Sequence, residues 1–449
     1  MKSFKPTCYT GSCRLTWVIA LGWIVLALLY GCSSDTSHTD LSTSPNIDQL
    51  AFAEDNGSIN LPDGFQAVVV AEDLGRARHL VVRDNGDVYV ALRRPKDGKG
   101  IAALRDTDGD GVADEIKYFS QFYGTGIDIR DGYLYFGSDT AVVRYPFDGD
   151  ALLPSMEYEV VVQGFKEQSQ HAVKPFTFDK QGKMYVNVGA PSNACMEEMR
   201  TKGSPGMDPC PLLERHGGIW QFDADKLNQD QMRDGKRYAT GIRNAVALDW
   251  NHQADNLYAL QHGRDQLNQF FPDMYSVEDN AELPAEEFFK VDEGDNFGWP
   301  YAYYDQRQGK KVLMPEYGGD GQKVGRASEF EDPILAFPGH WAPNDLMFYS
   351  GNQFPASYSG GAFIAFHGSW NRAPLPQRGY NVVFVPFNGD MPAGDDYQVF
   401  ADGFKGTEVL ESPGNAEYRP MGLDMGPDGS LYISDSVTGK IWRVVYTGS

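Results

Sequence analysis

Six times along the chain a short turn bearing glycine or asparagine leads into a strand-like run with an aromatic residue in it. The copies are Asp84-Asn85-Gly86-Asp87-Val88-Tyr89-Val90, Asp131-Gly132-Tyr133-Leu134-Tyr135-Phe136, Gln181-Gly182-Lys183-Met184-Tyr185-Val186, Ala254-Asp255-Asn256-Leu257-Tyr258-Ala259, Ser359-Gly360-Gly361-Ala362-Phe363-Ile364 and Pro427-Asp428-Gly429-Ser430-Leu431-Tyr432-Ile433. Turns of this kind close tight hairpins, and a third strand such as 141–145 or 440–445 follows several of them. Helical periodicity is scarce. Six sheet units over about 390 residues give roughly 65 residues each, above the ~40–50 of plain propeller repeats, so the surplus belongs to inserted loops. The main insertions fall at 190–215, 265–296 and 301–335. An all-β, six-bladed β-propeller is the predicted fold, because radial repetition protects sheet edges and needs no second core. A β-sandwich with a satellite domain accounts poorly for the even repeat.

The first residues read as an address. Lys2, Lys5 and Arg14 precede an apolar run from Leu15 to Tyr30, and Gly31-Cys32-Ser33 follows, which resembles a bacterial lipoprotein signal. A signal anchor or a plain secretory signal is the alternative. Residues 1–31 are then the signal peptide, 32–59 a lipidated N-terminus and flexible tether starting at Cys32, and 60–449 the catalytic propeller. No other run reaches the ~18 apolar residues of a spanning helix. The expected place is the periplasmic side of the cell envelope, held by lipid, with Ser33 pointing to the outer membrane. Cysteine usage agrees: Cys8 and Cys13 leave with the signal, Cys32 is acylated, and Cys195 and Cys210 are expected to pair in an oxidising compartment. With 39 Lys and Arg against 62 Asp and Glu, the chain carries −23, which argues against a nucleic-acid partner.

In an up-and-down blade, the start of the innermost strand and the end of the next lie on one rim. The strand starts give Arg78, Thr125, His171, Arg243-Asn244, Trp341 to Asn344, and Arg419. The strand ends give Arg93-Arg94, Asp139, Gly189-Ala190, His262 to Asp265, His367 to Arg372, and Asp435. A single Arg at a strand end is usually just solvated. A set converging on one mouth of an acidic protein suits an anionic ligand with several carboxylates.

Gly241-Ile242-Arg243-Asn244, His262-Gly263-Arg264-Asp265, Asn296-Phe297-Gly298-Trp299-Pro300, His367-Gly368-Ser369-Trp370-Asn371-Arg372 and Arg419-Pro420-Met421-Gly422 carry a resemblance. They look like the motifs of the sorbosone dehydrogenase-like branch of pyrroloquinoline quinone (PQQ) sugar dehydrogenases, related to soluble quinoprotein glucose dehydrogenase and the fungal quinoprotein pyranose dehydrogenases. The likeness runs from about Leu61 to Tyr446. It implies a six-bladed propeller holding PQQ and Ca²⁺, with His171 as the base and Arg243 against the quinone oxygens beside Asn244. It makes Arg78, His367, Arg372 and Arg419 candidates for the cofactor carboxylates, and Trp341 the stacking residue. Gly263 and Arg264 would offer main-chain oxygens to Ca²⁺, with Asp265 nearby. Where the glucose enzyme has Gln-Gly-Pro followed by acidic residues, this chain continues Gln266-Leu267-Asn268, so the carboxylate ligand stays open between Asp273 and Asp279.

A second acidic motif, Asp106-Thr107-Asp108-Gly109-Asp110-Gly111-Val112-Ala113-Asp114-Glu115, begins like an EF-hand loop, but its twelfth position is Lys117 rather than Glu. The alternatives are a hairpin-borne structural Ca²⁺ site using Asp106, Asp108, Asp110 and Asp114, or a solvated acidic turn. Taken together, the expected function is PQQ- and Ca²⁺-dependent oxidation of an alcohol or aldehyde group of a sugar-like substrate. Electrons would go to an external acceptor, since no Cys-x-x-Cys-His haem motif is present. The other readings are a Ca²⁺-dependent hydrolase of the gluconolactonase type and a non-catalytic recognition propeller.

Overall fold

Each repeated turn closes the hairpin between the two inner strands of one antiparallel sheet, and the computed structural model contains six such sheets. It describes residues 46–448; residues 1–45, with the expected signal peptide and Cys32, lie outside the described residues. From the axis outward, blade one comprises 77–82, 88–96, 99–105 and 115–119, and blade two comprises 124–130, 133–138, 142–146 and 159–163. Blade three is built from 176–178, 183–188, 218–223 and 236–240, and blade four from 247–251, 256–261, 286–291 and 335–337. Blade five uses 343–348, 362–366, 381–385 and 398–401. Blade six joins 420–425, 431–435 and 441–446 to 65–71, so the first strand of the propeller is the outer strand of its last blade. That pairing, Phe65 opposite Tyr446, closes the ring. The protein is a six-bladed β-propeller.

Because every blade is sandwiched between two others, its second strand is apolar on both faces. Val88 to Leu92 are all buried, and Tyr89 and Ala91 join Leu134 and Phe136 of blade two in one cluster. The surplus length sits on the rim that carries the site. It forms the 190–215 loop, two short helices (Leu267–Phe270 and Val277–Glu282) and a hairpin of 302–305 with 310–313. The helix over Val277–Glu282 begins with Ser276 and Asp279 capping each other's backbone amides.

Residues 46–59, counted with the flexible tether by sequence, are docked on the propeller instead. The Trp442 indole donates to Gly57 O (3.1 Å), Ala67 N to the Asn56 side chain (3.0 Å), and Ala51 N to Asp110 O (2.8 Å). These contacts satisfy backbone and indole groups that blade six and the 106–114 loop of blade one would otherwise leave open.

Three apolar side chains, Val173, Val246 and Met421, meet in one buried cluster. They come from the starts of blades three, four and six, so the contact runs across the axis and divides the central channel. Below this plug, at the far end, a chamber of about 370 Å³ is lined by Asp128, Asp249, Asp345 and Asp424. Above it lies the basic rim.

Candidate active site

His171 precedes the inner strand of blade three with φ +51°, held by Gln168, whose amide donates to His171 O (2.8 Å) and Gly189 O (3.0 Å). Gly189 cannot carry a side chain: a Cβ there would lie 2.5 Å from Asn244 Oδ1 and 2.7 Å from His171 Cβ. Nδ1 of His171 meets the Ala190 carbonyl, so it carries the proton, and Nε2 is left as an acceptor with no partner among the described residues. Burial, reinforced by the Arg243 charge, pushes the imidazole down to about 3. The ring is therefore neutral at any ordinary pH.

His171 shares a cavity of about 270 Å³ with Arg243, His262, Asp265, Glu286 and Trp370. Arg243 is 3% exposed. Its Nη2 donates to Asp265 Oδ2 (2.8 Å) and Asn193 Oδ1 (3.1 Å), while its Nε is buried without a partner. Asp265 also accepts from Arg200 (3.2 Å) and from the Asn371 amide (2.9 Å). Burial opposes ionisation of Asp265, yet Arg243, His340 and Arg200 together hold its carboxyl below the usual range. Glu286 differs. Burial pushes it up to about 8, although it accepts from the amides of Gly263 (2.9 Å) and Ala342 (3.2 Å).

The rest of the basic rim continues from this cavity around the axis. Burial first, and then the charges of Arg243 and Arg78, keep His262 low, at about 4. Burial followed by Arg419 and Arg78 does the same to His367. Arg78 is itself lowered to about 9 by burial and by Arg93, and its Nε donates to Thr125 (3.0 Å). Arg419 donates to His367 O (2.9 Å) and Gly368 O (2.6 Å). Guanidinium and imidazole groups from blades one, three, four, five and six thus gather at one end of the channel, with Arg243, His171 and Arg419 on the same side of the plug. Asn244 lies beside Arg243, its Oδ1 accepting from Asn187 (3.3 Å).

Four sequence-based assignments need correction. Arg372 does not face the cavity: it is a buried strut donating to Pro376 O (3.1 Å), Glu282 (2.7 Å) and Ala281 O, which ties its loop to the Val277–Glu282 helix. Trp341 turns outward and packs edge-on against Phe366 (5.4 Å) and Tyr397 (6.0 Å), and Trp370 takes the place at the cavity. Asp273 is exposed, and Asp279 caps its helix and pairs with Arg307 (2.8 Å), so neither reaches the site. Asp110 turns its carboxylate to Val112 N (2.8 Å), whereas oxygens of Asp106, Asp108 and Asp114 lie within 4.8 Å of one another.

The Arg264 side chain is sealed against Glu316 (2.6 Å, both side chains 0% exposed). The main-chain oxygens of Gly263 and Arg264 accept no hydrogen bond among the described residues. Free carbonyls beside a buried carboxyl, Glu286, suit a hard cation, and the cationic rim suits a polycarboxylate. Sequence reasoning missed Glu286, Arg200, His340 and Asn193. Glu286, Arg200 and Asn193 lie on inserted loops or the start of a third strand, and His340 lies one residue before the stretch read at the start of blade five. Cys195 and Cys210 form a disulfide (Cα–Cα 6.2 Å) that closes the loop bearing Asn193 and Arg200.

A family model described as TrAA12-like matches residues 59–447. The chain belongs to the TrAA12-like family. A curated relative of this TrAA12-like chain, the PQQ-dependent pyranose dehydrogenase of Coprinopsis cinerea, is 23% identical over 421 residues, covering 86% of the chain and 54% of the relative. An uncharacterised protein of Borreliella burgdorferi is 31% identical over 210 residues, 46% of the chain and 48% of that protein. The chain spans about half the length of the curated relatives it matches. Among solved structures, the holo PQQ domain of the Coprinopsis cinerea enzyme superposes with TM-score 0.69 at 19% identity, covering 86% of this chain and 97% of that one. The calcium structure of the Trichoderma reesei family AA12 enzyme gives 0.71 at 18%, with 88% and 98% covered. The soluble aldose sugar dehydrogenase of Escherichia coli gives 0.55 at 16%, with 85% and 99% covered. At these identities the likeness establishes the shared fold.

Proposed function

We propose that this chain is a PQQ- and Ca²⁺-dependent dehydrogenase of sugars, with motifs that resemble those of the sorbosone dehydrogenase-like branch. The observation that carries the reading is the pairing of a neutral His171, its Nε2 free, with the buried Arg243 in one cavity. When bound, PQQ supplies an electrophilic quinone carbonyl as hydride acceptor and Ca²⁺ polarises it. Arg243 would hold the quinone oxygens, Arg78, His367 and Arg419 the carboxylates, and the carbonyls of Gly263 and Arg264 with Glu286 the metal.

The chain's own residues do the rest. His171 Nε2 accepts the proton of the substrate hydroxyl, and the Nδ1 contact to Ala190 O fixes the tautomer and the ring plane. Asp265 orients Arg243 from behind, so the guanidinium is in place before charge develops in front of it. The Val173–Val246–Met421 plug keeps water from entering along the axis. A hydrolase with a central metal on side-chain carboxylates has less support, since among the described residues only Asp106, Asp108 and Asp114 bring three ligating groups together, at the edge of blade one. That outer cluster is proposed as a structural Ca²⁺ site. The chain is further proposed to act on the periplasmic side of the envelope, anchored through Cys32, and to pass electrons to an external acceptor.

The test is to titrate purified protein with PQQ and Ca²⁺ and assay a sugar panel with a dye acceptor. Saturable quinone binding, with His171→Ala lowering turnover ~10²-fold or more at unchanged quinone affinity, is expected. Absence of quinone binding together with metal-dependent lactone hydrolysis would overturn the proposal.

A further inference from the structure

The plug of Val173, Val246 and Met421 leaves the far chamber separate from the rim, and its volume of about 370 Å³ is room for roughly a dozen waters at ~30 Å³ each. What it presents inward is mostly acceptors. Asp128, Asp249, Asp345 and Asp424 reach it from the inner strands of blades two, four, five and six. Their partners use only part of their capacity: Asp128 accepts from the Ile129 amide alone (2.7 Å), and Asp424 accepts from Val82 N (2.6 Å). His79 adds an acceptor of another kind. Its side chain is 9% exposed, and Nε2 meets Asn344 O (2.7 Å), so Nε2 carries the proton and Nδ1 is left with a lone pair. That Nδ1 has no partner among the described residues and keeps accessible surface, and the ring lines the chamber. A buried imidazole nitrogen with nothing to accept from marks a place where a donor is missing.

A chamber of acceptors calls for a cation rich in donors. A bare metal ion is a poor match, because no three His, Asp or Glu ligand atoms there lie within 4.8 Å of one another, as those of Asp106, Asp108 and Asp114 do. Separated carboxyls suit separated charges. Ile129, Phe348 and Met425, at the far ends of the inner strands, line the same chamber and are half-buried, so they offer apolar surface to methylene spacers. Arg130 stands at this end as well, but its charge is met by Asp225 (2.7 Å) and Asp131 (2.8 Å). We infer that the far chamber binds an organic polyamine, whose ammonium groups donate to the carboxyls of Asp128, Asp249, Asp345 and Asp424 and to His79 Nδ1. The site lies on the other side of the plug from the rim, so the inference stands whether or not the rim holds quinone. Affinity should depend on pH with a definite sign. Burial raises Asp128 and Asp249 to about 7, Asp424 to about 8 and Asp345 well above its usual range, so the ligand must displace protons and binds more tightly as pH rises. His79, pushed down to about 3 by burial, stays a neutral acceptor throughout. Of the other groups facing the chamber, Asp179 is engaged by Lys183 N (2.7 Å) and the Tyr185 hydroxyl (3.0 Å), and His252 is lowered by burial and by Lys180.

Spermidine is the probe, titrated into the intact protein by calorimetry at constant ionic strength, in two buffers of different ionisation enthalpy so that proton release is counted. One saturable site is expected, with net proton release at pH 7 and affinity rising about tenfold or more from pH 6 to pH 8. Asp128→Asn and Asp424→Asn keep the acceptors for Ile129 N and Val82 N, so the fold is retained, and each should weaken binding about tenfold or more at pH 8. Asp255→Asn removes the same charge from the exposed hairpin turn of blade four at this end of the propeller, and should change the affinity by no more than about twofold. Three results would overturn the inference. Absence of saturable binding means the chamber holds only water. An equal loss in Asp255→Asn reduces the binding to attraction by the acidic surface. Displacement of spermidine by Mg²⁺ or Ca²⁺ at comparable concentration makes the chamber a metal site instead.

Discussion

His171 should change its proton affinity when the cavity fills. In the empty cavity its value of about 3 reflects burial first and then the Arg243 charge. The fall from the ordinary 6.5 corresponds to about 5 kcal/mol against the imidazolium, at 1.36 kcal/mol per tenfold. So weak a base is poorly matched to removing a hydroxyl proton. A bound polycarboxylate reverses the electrostatic part: one negative charge about 5 Å from the ring, at an effective dielectric constant near 20, favours the imidazolium by roughly 3 kcal/mol, or about two pH units. The expected value in the loaded protein is thus near 5. The assay is nitrogen-detected NMR of the imidazole as pH is lowered, with and without quinone, beside the pH profile of kcat/KM for the loaded enzyme. The free protein should keep Nε2 unprotonated down to about pH 4, and the loaded enzyme should show its acid limb near pH 5. An imidazole titrating near 6.5 in the free protein, or one unmoved by quinone, would refute the reasoning.

Asp265→Asn leaves the buried Arg243 without its counter-ion and should cost about 3–5 kcal/mol in urea unfolding; adding Arg243→Met should restore most of that, which a merely local packing defect would not. Asp424 is raised by burial to about 8, so the folded protein holds a proton that the unfolded chain releases near 3.8, and stability falls as pH rises from about 4 to 8. Asp424→Asn keeps the acceptor for Val82 N (2.6 Å), and should gain roughly 2 kcal/mol over the parent protein between pH 5 and 9, about half the ceiling that 1.36 kcal/mol per pH unit sets over that window, because the chamber is open to water. A constant difference across that range would disprove it. Millimolar Ca²⁺ should raise the melting temperature of the protein by more than that of Asp106→Asn or Asp114→Asn, which keep only the cavity site, as binding to the folded state at two places requires.

The blades were legible because each hairpin is written locally, in a glycine or asparagine turn followed by a short apolar run with an aromatic residue in it. Ring closure was not. Phe65 and Tyr446 are joined by a pairing that no short window contains. The rim was legible to the same extent: position along the first two strands located His171, Arg243, His262 and Arg419 at one end. Direction was not. Arg372 and Arg264 sit in motif positions beside true cavity residues, yet their guanidiniums are drawn away to Glu282 and to Glu316 on inserted segments. Trp341 and Trp370 show the same limit, since the choice between them is made by Phe366 and Tyr397, which offer Trp341 an apolar seat. Glu286 was out of reach because its environment, the amides of Gly263 and Ala342, is assembled from the end of one blade-four strand and the approach to blade five, which no short window contains.

The plug across the axis explains how a chain of −23 keeps a cationic mouth. Five carboxyls, those of Asp128, Asp179, Asp249, Asp345 and Asp424, line the far chamber, and if all were ionised their field would reach the rim through a low-dielectric channel and offset its guanidiniums. Burial prevents this by raising Asp128 and Asp249 to about 7, Asp424 to about 8, and Asp345 well above its usual range. Below neutrality these four carboxyls are therefore mostly protonated. Three of these carboxyls accept from a backbone amide of the next blade, Asp345 from Leu423 N (2.8 Å), Asp249 from Phe348 N (3.0 Å) and Asp424 from Val82 N (2.6 Å), so they stitch neighbouring blades without needing to ionise. The same burial that drives protons onto those aspartates keeps protons off His171, His262 and His367 at the other end. On the rim side of the plug the arginines stay charged at neutral pH together with Asp265, which is held ionised by Arg243. A polyanion entering the mouth meets a positive field that the acidic surface, screened by solvent, does little to cancel.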